Sequence, residues 1–411
     1  MKINPERFKK DFAELKQFGL LENGGVTRVS FSEEDMAARA WLEKAMEDAG
    51  LEVSIDAFGN MRGCRAGTED LPAVMVGSHI DTVPEGGHYD GVIGVLSALE
   101  IVRTLNDGNV KTRRPVEVVN FSSEESSRFG VATLGSKAME GKLNLALLNK
   151  LKDKNGISLY EALKGCGYDA DHIESAKVDP KSIYAFLEMH IEQGPVLEAK
   201  KYPVGIVTSI AAPTRFKVTI KGLADHSGNT PMGMRKDALA GASELVLGVE
   251  RIASSEAGEK TVGTVGYLYV TPGAMNVVPG KVELGIDIRD VSMEDKNKAV
   301  QAVKDLIADI AERRHLDIEY EQLCNDEPVA LSDRVISTLQ ETADEMGISY
   351  LSMPSGAGHD AMNMAHFTEV GMIFVPSAKG ISHNIEEHTS MDEVCFGADL
   401  LLKATIKLAG E

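Results

Sequence analysis

The stretch A-V-M-V-G-S-H-I-D-T-V-P-E-G-G-H-Y-D-G, residues 73 to 91, decides the fold. It begins with a short apolar run, Ala73–Ile80, which predicts a buried β-strand. The segment that follows, Gly91–Asn106, predicts a helix because its valines and leucines recur on one stripe. Between them lies a glycine-rich loop that carries histidine and aspartate side chains. A strand, a polar loop and a helix in this order predict one unit of an α/β fold.

Strands and helices alternate on both sides of this unit. Pro115–Phe121 and Ser182–His190 are apolar strands, and they end in S-S-E-E and in H-I-E-Q-G-P. The remaining elements are the helices Ser32–Gly50, Asp333–Met346 and Met391–Ala409 and the strand Gly371–Val375. This alternation predicts a mostly parallel sheet, and open sheets of this kind place their sites at the carboxyl ends of the strands.

The middle of the chain has a different pattern, with the order β-α-β-β-α-β typical of a small ferredoxin-like domain. Its predicted elements are Thr214–Leu223, Arg235–Ser254, Val262–Val270, Lys281–Arg289, Ser292–His315 and Leu316–Cys324. We therefore predict an α+β domain, residues 212–326, inserted into a catalytic metal-binding domain formed by residues 1–211 and 327–411.

Composition excludes several classes of protein. The chain has 411 residues and a formal net charge of −20, so it lacks the basic face that nucleic-acid binding requires. No run reaches the roughly 18 apolar residues of a membrane span, and the N-terminus has no apolar core of a signal peptide. Its four cysteines are scattered, which is typical of reduced thiols. We expect a cytoplasmic protein that binds neither nucleic acid nor membranes.

The loop after the first strand carries the groups of a hydrolytic metal site. Such a site needs imidazole nitrogen and carboxylate oxygen atoms, which His79 and Asp90 supply. Asp81 is placed to orient His79, because a ligating imidazole usually donates its other N–H to a carboxylate. For this loop alone, a merely polar surface loop is an equally good interpretation. Glu85 and His88 are not expected to be ligands.

Three further strand ends add candidate groups. Of the pair Glu124 and Glu125, one carboxylate can bind a metal while the other stays free as a general base. His190 ends one strand, and His383 follows another in I-S-H-N. This set contains no thiolate, so it suits zinc, manganese, cobalt or nickel. The sequence has no G-x-S-x-G nucleophile elbow and no phosphate-binding loop.

Taken together, the motifs resemble those of the M20-type amidases of the hydantoinase/carbamoylase group. The matching motifs are G-S-H-I-D-T-V-P-x-G-G-x-Y-D-G, S-S-E-E-S-S-R-F, H-I-E-Q-G-P-V-L-E, S-G-A-G-H-D-A and I-S-H-N-x-x-E. They run in order from about Phe31 to the C-terminus. That group includes N-carbamoyl-L-amino-acid hydrolases, allantoate amidohydrolases and β-ureidopropionases.

The resemblance implies two divalent metal ions per subunit, with zinc preferred. His79 and His190 would bind one ion, Glu125 and His383 the other, and Asp90 would bridge them. Glu124 would be the general base. Broader relatives usually carry a carboxylate at the position of His190, so H-I-E-Q-G indicates the carbamoylase branch.

The resemblance also implies a set of substrate-binding residues. His226 and Asn276 would stabilise the oxyanion, and Arg289 would bind a free carboxylate of the substrate. Gln193 and the loop that contains Gly358 and His359 would complete the pocket. Because the first three lie on the inserted domain, the site would be complete only when this domain closes as a lid or when a partner subunit supplies a residue. We expect a homodimer through this domain. Its hinges would lie near Ala211–Pro213 and Asn325–Pro328.

The implied reaction is hydrolysis of an N-carbamoyl-L-amino acid to the amino acid, ammonia and carbon dioxide. Allantoate and 3-ureidopropionate are alternative substrates. An N-acyl amino acid hydrolase or dipeptidase is a further alternative. A non-catalytic binding protein is disfavoured, because neither Glu124 nor any of the five ligands is missing.

Overall fold

The computed structural model describes all 411 residues, and they form two compact units. The first unit contains Met1–Thr208 and Leu331–Glu411, and the second contains Ser209–Ala330. The predicted segment 212–326 lies within the second unit. No helix combines the length and the apolar character that crossing a membrane requires.

The chain up to Ile210 supplies most of one large sheet. Its strands are β1 (Glu52–Ile55), β2 (Met61–Arg65), β3 (Ala73–His79), β4 (Val116–Phe121), β5 (Ile183–Ile191) and β6 (Val204–Ile210). Its helices are α1 (Pro5–Leu15), α2 (Glu33–Asp48), α3 (Val92–Asp107), α4 (Leu134–Glu140), α5 (Leu145–Lys150), α6 (Leu159–Gly165) and α7 (Val196–Lys200).

The second unit is an antiparallel sheet covered on one face by two helices. Its elements are β7 (Ala212–Lys221), β8 (Asp225–His226), α8 (Ala238–Arg251), β9 (Val262–Thr271), β10 (Val277–Val278), β11 (Lys281–Asp290), α9 (Met293–Arg314), β12 (Asp317–Asn325) and β13 (Val329–Ala330). The four long strands run in the order β12-β7-β11-β9. Alternate residues of β7 and β11 are buried with apolar residues of α8 and α9, so the period-two pattern marks the covered face.

The rest of the chain completes the first unit with α10 (Asp333–Met346), β14 (Tyr350–Ser355), α11 (Asp360–Met364), β15 (Glu369–Val375) and α12 (Met391–Gly410). Its strands run in the order β1-β2-β4-β3-β5-β15-β6, with β14 paired to β6. The four central strands are parallel to one another, whereas β1, β2 and β6 pair in antiparallel fashion. A mixed α/β fold with a largely parallel central sheet is therefore confirmed.

The parallel arrangement sets the position of the candidate site. All seven residues of β3 are buried, as a strand covered on both faces requires. Because β3, β4, β5 and β15 run in one direction, the polar residues that follow them meet at one edge of the sheet.

Candidate metal centre

His79 is the last residue of β3, and its side chain is almost completely buried. Its Nδ1 lies 3.0 Å from the backbone oxygen of Asp81 but 3.7 Å from the carboxylate Oδ1 of the same residue. We predicted that the Asp81 carboxylate orients the imidazole, but the structure shows that the contacting atom is the backbone carbonyl oxygen of Asp81. An Nδ1–H that donates to this carbonyl leaves the Nε2 lone pair directed at the site.

The carboxylate of Asp81 binds the backbone of the two adjacent glutamates, Glu124 and Glu125. Its Oδ1 accepts the backbone N–H of Glu124 at 3.2 Å, and its Oδ2 accepts that of Glu125 at 3.1 Å. The Ser30 hydroxyl donates to Oδ2 at 2.8 Å. These three donors occupy the carboxylate, which explains why His79 turns to the carbonyl instead. Asp81 thus fixes the turn that presents both glutamates.

Asp90 lies between two groups of candidate ligands. Its Oδ1 is 3.4 Å from His79 Nε2 and 3.1 Å from His190 Nε2, whereas its Oδ2 is 3.4 Å from His383 Nε2. Glu125 Oε1 approaches the same His383 nitrogen at 3.3 Å. The ligand atoms of each group lie within 4.8 Å of one another. The structure therefore brings all five predicted ligands together, and their nitrogen and oxygen atoms suit divalent cations.

The electrostatics of Asp90 favour the ionised form that metal binding needs. Burial disfavours the charged carboxylate, but the imidazoles of His190, His383 and His79 outweigh it and hold the pKa of Asp90 well below its usual value. The same kind of contact raises the pKa of His383. Hydrogen bonds to Asp90 and Glu125 raise the pKa of this imidazole to about 11. The centre is thus a strongly coupled cluster of opposite charges.

Glu124 has the environment of a base. It is buried, and its Oε2 lies 3.8 Å from His79 Nε2. Burial raises the pKa of Glu124 well above its usual value, and the adjacent Glu125 adds to the shift, although His79 opposes it. A carboxylate with a raised pKa has greater affinity for a proton, as a general base in a hydrolytic reaction requires.

Gly91 closes the loop against the ring of His79. Its φ is 66°, and a Cβ at this position would lie 2.4 Å from His79 Nε2. Its N–H also donates to His190 Nε2 at 3.1 Å. Only glycine satisfies both the backbone conformation and the close approach.

We expect Gly91→Ala to displace His79 and to weaken the binding of one metal ion, in addition to destabilising the chain. Gly130→Ala is the matched control, because Gly130 has φ 73° but a Cβ added there would meet no atom within 4 Å. The control should cost only the left-handed backbone term of about 1–2 kcal/mol. Urea unfolding and metal analysis of both variants check this, and equal metal contents would contradict it.

Gln193 joins the cluster directly. Its Nε2 donates to Asp90 Oδ2 at 2.6 Å, and its buried Oε1 has no hydrogen-bond partner. His359 lies behind the site, where it is 2% exposed, its ring packs on His190 and its Nε2 lies 3.0 Å from Ser355 Oγ. Burial holds the pKa of His359 well below its usual value, so the ring is neutral. Gly358 is exposed at the start of this segment.

His226 and Asn276 are neighbours on the ribbon formed by β8 and β10. His226 is opposite Val277, and the Ser227 N–H donates to the Asn276 carbonyl at 3.0 Å. The backbone N–H groups of residues 228 and 229 donate to His226 Nδ1 at 3.0 and 3.2 Å. Because Nδ1 accepts, a neutral His226 carries its proton on Nε2, which makes Nε2 a hydrogen-bond donor.

Arg289 lies on β11 of the same unit, and its Nε donates to Asp287 Oδ1 at 3.0 Å.

His88 was not expected to be a metal ligand, and its position agrees with that prediction. Its ring packs on Phe12 and Tyr89, and burial lowers its pKa to about 3. A neutral ring in an aromatic cluster fills space and is not among the groups that could hold a metal.

Sequence reasoning gave no role to Glu188, which is buried two residues before His190 on β5. Its carboxylate accepts the Ser78 hydroxyl at 2.7 Å and the Ala361 N–H at 3.2 Å. It also missed Glu387, the last residue of I-S-H-N-x-x-E. A glutamate at i−2 from a candidate ligand shares its face of the strand, and this spacing could have pointed to Glu188.

Comparison with known proteins identifies the family. Residues 75–407 match the model of peptidase family M20/M25/M40. The chain is 41% identical to an N-carbamoyl-L-amino-acid amidohydrolase of Pseudomonas sp. strain NS671, over 98% of both chains. It is 38% identical to a ureidoglycolate hydrolase of Arabidopsis thaliana, over 100% of this chain and 87% of that protein.

Solved structures agree with the sequence matches. A crystal structure of an amidase of the hydantoinase/carbamoylase family from Burkholderia multivorans superposes with a TM-score of 0.93 and 35% identity, over 100% of this chain and 99% of that one. The resemblance stated from the motifs is confirmed, and the chain belongs to peptidase family M20/M25/M40, a family of hydrolases.

Proposed function

We propose that the chain hydrolyses an N-carbamoyl-L-amino acid to the free amino acid, ammonia and carbon dioxide, with two divalent metal ions in the centre. The observation that carries the proposal is the position of Asp90. One of its carboxylate oxygens faces His79 and His190, and the other faces His383. A shared carboxylate between two ligand groups is the arrangement that a pair of catalytic ions needs.

The bound ions would polarise the carbamoyl carbonyl and lower the pKa of water. Glu124 takes a proton from the attacking water as its oxygen adds to the carbamoyl carbon. The bond between that carbon and the α-nitrogen then breaks, and Glu124 returns the proton to the α-nitrogen. The released carbamate decomposes to ammonia and carbon dioxide.

We propose zinc as the first choice of metal, with manganese, cobalt and nickel as alternatives that the same ligand set suits. Three imidazoles and two carboxylates supply only borderline and hard donor atoms. Two of the imidazoles, His79 and His190, have their Nδ1 atoms hydrogen-bonded to backbone carbonyls, so Nε2 is the nitrogen that each ring turns toward the Asp90 carboxylate.

We further propose that residues 212–326 act as a lid that supplies His226, Asn276 and Arg289 to the substrate. The Nε2–H of a neutral His226 suits the stabilisation of an oxyanion. Arg289 would bind the free carboxylate, for which its present contact with Asp287 holds the guanidinium in place. Gln193 would bind the ureido group, and its unpartnered Oε1 supports this role.

A homodimer through the second unit fits the surface around His226 and Asn276. Met232, Met234 and Met275, which neighbour these residues in sequence, are 77%, 73% and fully exposed. Large exposed apolar side chains near a site indicate a surface that another protein covers. Sedimentation velocity should give a dimer, and a fully active monomer would contradict this part of the proposal.

A substrate panel tests the function. N-carbamoyl-L-amino acids, their D forms, ureidoglycolate, allantoate, 3-ureidopropionate and N-acetyl amino acids are assayed with zinc, manganese, cobalt or nickel. We expect the highest kcat/KM for a carbamoyl-L-amino acid and little turnover of the D form. A preference for ureidoglycolate would favour the activity named for the plant relative. A preference for allantoate would favour that alternative substrate, and activity on peptides alone would overturn the proposal.

A further inference from the structure

Asp90, Glu125 and His383 form the second candidate metal group. Two of its members lie in loops that are far apart in sequence. Asp90 lies in the loop before α3, and His383 lies in the loop between β15 and α12. The carboxylate of Glu387 connects the two loops. Glu387 is 4% exposed and is not among the candidate metal ligands.

Both oxygens of this carboxylate are used. Oε1 accepts the backbone N–H of Tyr89 at 2.9 Å and that of Asp90 at 3.2 Å. Oε2 accepts the Ser382 hydroxyl at 2.9 Å, and that hydroxyl oxygen also lies 3.1 Å from Asp90 Oδ2. The carboxylate therefore holds the backbone of Asp90 and the residue that precedes His383. Since both oxygens have donors, Glu387 serves the ligands without being one.

Gly87 makes this contact possible. A Cβ at Gly87 would lie 2.1 Å from Glu387 Oε1, so any larger residue would displace the carboxylate. Its backbone is not in the left-handed region, and the close approach alone requires glycine here. A second bond joins the same two loops, because Tyr89 Oη lies 3.0 Å from His388 Nδ1. The loop that begins G-G-H-Y-D thus fits against the loop that carries His383.

We propose that Glu387 is a positioning residue that sets the second metal group by fixing Asp90 against His383. The inference rests on the proposed function, because it takes this group to bind a metal ion. Groups that hold metal ligands in place typically change metal affinity by 10–100-fold when they are removed. Removal of Glu387 should therefore lower the affinity for one ion of the pair.

The test compares Glu387→Ala with Glu386→Ala, because Glu386 is the adjacent and exposed glutamate. Metal-free protein is titrated with cobalt(II), and the visible absorption bands report each binding event. In Glu387→Ala we expect one event to weaken by roughly 10–100-fold, with the other changed much less. It should be the event that is absent from His383→Ala. Saturating cobalt should restore kcat, and Glu386→Ala should match the wild type.

A double-mutant cycle with Gly87 separates positioning from general damage. Gly87→Ala should weaken the same cobalt event, and Gly87→Ala combined with Glu387→Ala should be no worse than Glu387→Ala alone. Additive effects would overturn the inference, as would wild-type cobalt binding by Glu387→Ala. If Glu387→Ala does not fold, the cobalt spectrum of Gly87→Ala decides by the same criterion. A wild-type protein that binds no cobalt would overturn both this inference and the proposed function.

Discussion

Replacing Glu124 by glutamine is expected to lower kcat by roughly 10²- to 10⁴-fold while both metal ions remain bound. The amide has the size of the carboxylate but cannot take a proton from water. The change leaves the backbone bond from residue 124 to the Asp81 carboxylate in place. Neither candidate metal group contains Glu124, so the metal content should stay at the wild-type level. Ammonia release and elemental analysis measure the two quantities.

The stability of this variant distinguishes a catalytic role from a structural one. Burial, together with Glu125, raises the pKa of Glu124 well above its usual value, so the ionised side chain costs stability at neutral pH. The neutral amide removes that cost, and the Tm of the metal-free variant should equal or exceed that of the wild type. Glu85→Gln, at an exposed position in the loop after β3, is the control. Wild-type kcat in Glu124→Gln would exclude it as the base.

The sequence predicts the centre of the first unit better than its edges. Strands β3, β4 and β5 are continuous apolar runs, so their ends and the candidate ligands that follow could be predicted. Strand β1 has the burial pattern of a surface strand, without an apolar run or a buried alternate face, and it was missed together with β2. The antiparallel edges follow from such short strands, whose pairing depends on tertiary contacts.

In the candidate site too, features with a local sequence pattern were predictable, whereas features that depend on tertiary contacts were not. The five candidate ligands were predictable because each lies at a strand end or in a motif. The role of Asp81 was predicted from residue type, but the contacting atom depends on which donors compete for the carboxylate. The tie between Glu387 and Asp90 joins residues 297 positions apart, and no local pattern indicates it. Burial of His359 behind His190 likewise results from packing of distant strands.

Replacing Asp90 should have the largest effect on metal binding, because its carboxylate is the only group common to both candidate sites. Asp90→Ala is expected to lose both ions, with affinities reduced more than about 100-fold, since even residues that only hold ligands are worth 10–100-fold. Activity should fall below detection. His383→Ala should lose one ion only. Asp70→Ala, at an exposed position before β3, is the control and should keep both.

Asp90→Asn should affect the two ions differently, because an amide has an accepting oxygen on one side and a donating NH₂ group on the other. Gln193 Nε2 donates to Oδ2 at 2.6 Å, so the amide oxygen should take that side. The amide NH₂ then faces His79 and His190, where it repels a cation. We expect Asp90→Asn to lose the ion bound by these two histidines before the other. Cobalt titration of the variant measures both events, and retention of two tightly bound ions would show that Asp90 is not the shared ligand.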